Sequence, residues 1–195
     1  MINYKYALEE TEAPAIEPLS LTEVKNYIKV EHDSDNSLIE SLIASARIIC
    51  ELMTGVNLIN RNYSMYIDSW ADRELYLPMA PVQSISAVKV YGEAGTSSDF
   101  SVSSFYLDNK NLFKPRIVLN SGAVTPIPTR DANGIEICIT SGFGAASSDI
   151  PELLKQGMLQ LIAYMYENRG DSLNNATRLS GAREIFKSYR KVSII

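Results

Sequence analysis

A lone histidine, His32, lies among three alternating carboxylates, Glu31, Asp33 and Asp35, and this is where metal or acid–base chemistry would first be sought in the chain. With Asp33 as position one, a calcium loop needs glycine at position six and a bidentate glutamate at twelve; the chain has Leu38 and Ala44 there. A single histidine leaves no multi-histidine metal site and no second imidazole base. His32 therefore reads as a solvated loop residue, and the acids as caps for the following helix. Gly142-Phe143-Gly144 begins like a dinucleotide loop, but Ser147 holds the third glycine position and no parallel βαβ unit surrounds it. It reads as a turn. No phosphate-binding P-loop and no nucleophile elbow occurs. Cys50 falls in a predicted helix and Cys138 in a predicted strand, both as small core side chains rather than a disulfide. No pair of acids is selected by spacing, so no cofactor, metal or catalysis is expected.

Composition narrows the class. A 46% hydrophobic content with 21% charged residues is ordinary for a globular protein. The opening MINYKYALEETEAP has neither an apolar signal core nor a cleavage site, and no apolar run approaches the ~20 residues that span a bilayer. A soluble intracellular protein without a membrane role is expected. The net charge of −5 is unevenly spread: residues 1–60 hold four basic and ten acidic side chains, whereas 169–195 hold six basic and two acidic. An acidic front argues against wrapping nucleic acid, since phosphate binding relies on Lys and Arg.

The elements that must carry any site are well punctuated. Ser20 and Glu23 have capping-box spacing, with Leu19 and Val24 placed as a hydrophobic staple. After the acidic break, Asp35 or Asn36 opens a long helix. Leu38, Leu42, Ile49 and Met53 form one of its rows, Ile39, Ile43, Ala46 and Cys50 the next, and Gly55 stops it. From Asn62 to Ser141 the period becomes two, clearest where Ile135, Ile137 and Ile139 alternate with Glu136, Cys138 and Thr140. Five to seven antiparallel strands with one wet face are expected, folded as a small sandwich or open barrel. A further helix opens at Ile150-Pro151-Glu152, capped by Asp149, and stops at Gly170.

The fold class is therefore α+β, with a helical core of two N-terminal helices plus a late helix and an antiparallel β-rich insertion between them. The organisation expected is an extended N-terminal arm at 1–18, a helical core from 19–60 and 145–170, a β-rich insertion at 61–144, and a flexible C-terminal tail with a short helix at 171–195. Tyr63, Tyr66, Trp70 and Tyr76 crowd the start of the β region, either as sheet packing or as a subunit-interface patch.

The order and spacing of these segments resemble the head–tail connector (adaptor, or head-completion) family of tailed double-stranded DNA phages, in the subgroup with a β-rich insertion. The likeness runs from Pro18-Leu19-Ser20-Leu21 with Glu23, through Asp33 and Asp35, to Leu38-Ile39, Leu42-Ile43, Ala46-Arg47 and Thr54-Gly55. It continues at Leu77-Pro78, Pro81-Val82, Ser84-Ile85, Gly142-Phe143-Gly144, Ile150-Pro151 and Tyr166-Glu167-Asn168-Arg169, and closes at Ser188-Tyr189-Arg190. The resemblance implies a structural, non-enzymatic part of a virion or prophage particle. Such proteins form a ring of about twelve copies beneath the portal protein, extend the DNA channel, complete the head and dock neck or tail-completion proteins. DNA would only pass through. Assembly would take place in the host bacterial cytoplasm and end at the head–tail interface of the virion.

By that resemblance the C-terminal segment reaches the portal. There Arg183, Lys187, Arg190 and Lys191 ring Ile185, Phe186 and Tyr189, an apolar anchor among cations on a tail expected to be mobile in the free protein. Deleting 182–195 would then leave the melting temperature nearly unchanged. Two rival readings stay open at this level: another neck or tail-completion protein of similar build, and a small-ligand-binding or hydrolytic α+β domain using carboxylates of the β region.

Overall fold

Period-two alternation and two amphipathic stripes resolve into two separate units, in a computed structural model that describes residues 5–70 and 72–190. One unit is built from Met1–Pro14 and Asn60–Phe143, the other from Ala15–Ile59 and Gly144–Ile195. The architecture is α+β with antiparallel sheets, as expected.

Among its described residues the β unit holds eight strands: β1 Tyr6–Glu12, β2 Arg61–Ile67, β3 Glu74–Tyr76, β4 Val82–Tyr91, β5 Ser97–Phe100, β6 Phe105–Asp108, β7 Arg116–Leu119 and β8 Ile135–Ser141. They form a five-stranded sheet in the order β1-β2-β8-β4-β5 and a three-stranded sheet in the order β3-β7-β6. β8 is central: Ile135, Ile137 and Ile139 stand opposite Ile67, Met65 and Tyr63 on one side and Val90, Val88 and Ile85 on the other. Opposed residues share a sheet face, and this one joins Leu75, Leu77, Ile117 and Leu119 of the smaller sheet in a single core. The seven strands between Arg61 and Ser141 lie at the top of the expected range.

The expected N-terminal arm needs correction. Tyr6 to Glu12 are not a free extension; they pair along β2, from Tyr6 opposite Ile67 to Glu12 opposite Asn62, with a bulge between Glu10 and Glu12. Asn62 Nδ2 donates to Glu12 at 2.6 Å, and Arg61 Nη1 reaches Glu10 at 3.4 Å. Every residue of β1 is exposed, because the strand lies at the sheet edge. Glu-rich polarity suits an unpaired arm, but it equally suits an edge strand, where charge discourages unwanted pairing.

The helical unit holds α1 Leu21–Ile28, α2 Asn36–Thr54, α3 Glu152–Glu167, α4 Leu173–Leu179 and α5 Ala182–Ser188. The capping box at α1 is formed: Ser20 Oγ accepts from Glu23 N–H at 3.2 Å, and Ser20 N–H donates to Glu23 Oε2 at 2.9 Å. At 19 residues, α2 is about 28 Å long. It ends where Gly55 adopts φ 74° and donates its N–H to Glu51 O at 2.8 Å. Ile39, Ile43, Ala46 and Cys50 are fully covered, and α3 packs against α2 with Leu154, Met158, Leu161 and Ile162 inward. Arg47, shielded beside them, bridges Glu17 at 2.8 Å and Glu51 at 3.3 Å, while Glu51 also accepts the Leu58 N–H at 3.0 Å. One guanidinium thus secures the chain entering α1 and the turn leaving α2.

Two expected caps differ. Asp149 does not cap α3; its carboxylate accepts the Ala146 N–H at 2.9 Å and closes a 3-10 turn over Ser147–Asp149, leaving Pro151 at the helix entry. Asp35 stands at the N-cap of α2 without a capping hydrogen bond.

The tail also needs correction across its described part. Residues 173–188 are not a mobile linker with one short helix but two helices packed on α3, and α5 also touches α2. Ser172 caps α4 by accepting the Asn175 N–H at 3.2 Å. Phe186 is 0% exposed and Ala182 is equally covered. A Cβ on Gly157 would come within 2.8 Å of the Phe186 ring, so glycine is what lets α5 lie so close to α3. Lys191 and the residues after it lie outside the described residues.

Candidate assembly surfaces

The acidic break that attracted attention in the sequence is structural. Asp33 pairs with Lys25 Nζ at 2.7 Å and accepts from Asn36 Nδ2 at 3.3 Å, which ties α1 to the start of α2. Asp35 instead accepts the Tyr166 hydroxyl at 2.5 Å and lies 3.4 Å from Arg169 Nη2, joining the start of α2 to the end of α3. The Tyr166 hydrogen bond, more than the Arg169 charge, holds the Asp35 carboxyl below its ordinary range. His32 meets Ser34 Oγ at 2.7 Å on the surface. Among the described residues no three His, Cys, Asp or Glu side chains converge on a metal-sized space, and no helix is long and apolar enough to cross a membrane.

Gly142 and Phe143 form the expected turn, their carbonyls both taken by Gln83 Nε2 at 2.8 and 3.0 Å. A Cβ on Gly144 would collide with the Asp149 side chain, which explains the second glycine without a ligand.

Sequence reading overlooked one polar cluster in the β unit. Glu136, only 6% exposed on the face expected to be wet, accepts Ser64 Oγ at 2.7 Å, Tyr91 OH at 2.6 Å and Lys89 Nζ at 3.3 Å. The ladder placed them together: Glu136 stands opposite Tyr66 and Lys89. This is the carboxylate a hydrolytic reading would need, but donors hold both its oxygens. The neighbouring Cys138 thiol is pushed up by burial and by the Glu136 charge, the opposite of an activated nucleophile.

Burial alone would raise the Glu136 carboxyl; hydrogen bonds from Tyr91 and Ser64, with the Lys89 charge, outweigh it and hold the group low. Folding therefore favours its charged form. That stabilisation is complete above the unfolded value of about 4.3 and is lost as pH falls through the lower folded value. Glu136→Gln should make the urea midpoint of the β unit fall less steeply than wild type between about pH 6 and pH 3. Parallel acid limbs in the two proteins would contradict this, since the other depressed carboxyls are common to both.

The four aromatics named from sequence do not form one patch. Tyr63 and Trp70 are core residues, Trp70 stacked on Phe105 at 6.4 Å between ring centroids. Tyr66 is half-buried on the opposite face of the large sheet. Tyr76 is exposed on the outer face of the small sheet together with Tyr106, which sequence reading did not select. Arg116 lies on that same face and holds Glu74 at 2.8 Å and Asp108 at 3.0 Å.

The six tail residues also divide. Phe186 is interior, so it is not the exposed anchor expected of it. Arg183 is turned onto α4, donating to Asn174 Oδ1 and to Thr177 Oγ1. Ile185 is half-buried beside Gly157. Lys187, salt-bridged to Glu184 at 2.9 Å, and Arg190 remain on the surface, with Tyr189 half-buried. Two further residues escaped the helical rows: Ile48 and Leu52, one turn apart on α2, are 48% and 78% exposed. Their signal in the sequence was an i, i+4 apolar pair lying off the buried stripe.

A family model described as "Head completion protein" matches residues 17–192. Among solved structures, the chain is similar to one in the neck of an empty GTA particle computed with C6 symmetry, with TM-score 0.81, 24% identity and 97% of each chain covered. It is similar to one in the virion of a native gene transfer agent particle, with TM-score 0.78, 25% identity and coverage of 96% of this chain and 97% of that one. A third likeness, to a chain in the neck of a native GTA particle computed with C12 symmetry, has TM-score 0.73, 26% identity and 97% of each chain covered. No curated protein matches the sequence.

Proposed function

The chain belongs to the head completion protein family, and on that premise we propose that it acts as a head–tail connector, a structural component of a phage or phage-derived particle and not an enzyme. The observation that carries the reading is the family match from residue 17 to residue 192, which includes most of both units. Copies close into a ring, about twelve by family likeness, beneath the portal protein of the filled head. The ring continues the DNA channel and offers its far side to neck or tail-completion proteins. DNA passes through without being gripped, in keeping with an acidic chain of net charge −5. Subunits gather in the host bacterial cytoplasm and finish at the head–tail interface of the virion. The surface cations Lys187 and Arg190, with Tyr189, face the portal, while Phe186 anchors their helix from inside. Tyr76 and Tyr106 form the insertion's contact patch, a role that Tyr63 and Trp70 are too buried to share.

Mixing the purified chain with the portal protein of the same particle, then imaging by electron microscopy, tests the reading. Stacked coaxial rings are expected. No association with the portal, or a tight dimer whose mass is independent of concentration in light scattering, would contradict it.

A further inference from the structure

Ordinary solvent-facing helix surfaces carry several charges, but of the six exposed residues of α2 only Glu40 is charged. The outward row runs Ser37, Ser41, Ser45, Ile48, Leu52, with half-exposed Ala44 beside it. The serines leave room for close approach, and the exposed Ile48 and Leu52 supply apolar area that no described residue covers. Arg47 is engaged by both Glu17 and Glu51, and Glu40 stands nearby, so this edge of the row has three carboxylates against one guanidinium. The same unit exposes two further leucines, in a stretch of opposite charge. Leu173 and Leu179, 54% and 52% exposed, mark the two ends of α4. Residues 169–190, which carry them, hold five basic and two acidic side chains, with Arg169 paired to Asp35 and Lys187 to Glu184.

We propose that the outward row of α2 on one copy docks on the α4 surface of the next copy, a heterologous contact repeated around a ring. This rests on the connector reading above. A closed ring needs two different, mutually complementary patches on each subunit, and these two differ in charge sign while sharing exposed leucines. Both are carried by one unit, so its internal packing fixes the angle between them. The charges guide approach and register, while Ile48 and Leu52 supply the buried contact.

Cysteine cross-linking of the full-length chain tests this under conditions where wild type forms rings, alone or on the portal protein. In a Cys138→Ser background, which removes the part-exposed native thiol, Leu52→Cys combined with Leu179→Cys should give a ladder of covalent oligomers on oxidation, and each single variant should give none. Leu52→Glu should reduce ring formation at least tenfold while leaving the melting temperature unchanged, since Leu52 is a surface residue. A dimer from Leu52→Cys alone would show a two-fold α2–α2 contact and overturn the proposal. So would rings that persist in Leu52→Glu, or a Leu52→Cys cross-link to another neck protein; each leaves the connector reading intact. Wild type that forms no ring at any concentration or on the portal would remove that reading, and this inference with it.

Discussion

Phe186→Ala is expected to destabilise the helical unit by about 3–5 kcal/mol, the usual cost of emptying a fully buried phenylalanine site. The ring is 0% exposed and lies over Gly157 of α3, where a Cβ would be only 2.8 Å away. Gly157 has no side chain that could fill the space. For a chain of this size that corresponds to a fall in melting temperature on the order of 10 °C. Deleting residues 182–195 should be at least as damaging, since it removes Ala182 along with Phe186. Circular dichroism of thermal and urea unfolding gives the answer. If either variant melts like wild type but no longer binds the portal, α5 is a detachable arm and the packing described here is not what holds it.

Ile137→Ala should have a comparable effect in the other unit, about 2–5 kcal/mol. Ile137 is fully buried at the centre of β8, opposite Met65 on β2 and Val88 on β4, so a cavity there opens between both ladders and the small sheet. Hydrogen exchange can localise the loss. Amides of β2, β4 and β8 should lose protection, whereas those of α2 and α3 keep theirs, because the helical unit has a core of its own. Unchanged protection in β8 would refute the assigned register. Equal loss in α2 and α3 would show that the two units unfold as one.

Local chemistry was legible. Ser20 with Glu23 predicts a capping box, and both reciprocal hydrogen bonds are present. Gly55 predicts the end of α2, and it adopts the left-handed conformation that makes glycine useful there. The alternation of Ile135, Ile137 and Ile139 predicts the central strand and its buried face. Asp33 and Asp35 serve Lys25 and Tyr166, and Gly144 makes way for Asp149. Each of these signals lies within a few residues of its cause.

The misses have the opposite character. Polarity shows that β1 is wet, not that β2 hydrogen-bonds to it across fifty or more residues. α4 resembles a linker in sequence because its buried side chains, Ala176 and Thr177, are small and leave no periodic stripe. Phe186 was given to a partner because the glycine that accommodates it, Gly157, lies 29 positions earlier on another helix. Glu136 appeared solvated until Ser64 and Tyr91 arrived from neighbouring strands. Sequence by itself determined α1, α2, α3, the central strand and the α+β class, because most caps, turns and hydrophobic period are short-range physics. Tertiary structure alone decided which apolar and charged groups find partners within the chain, because that depends on close approaches between distant residues. It thereby left Ile48 and Leu52, not Phe186, facing outward.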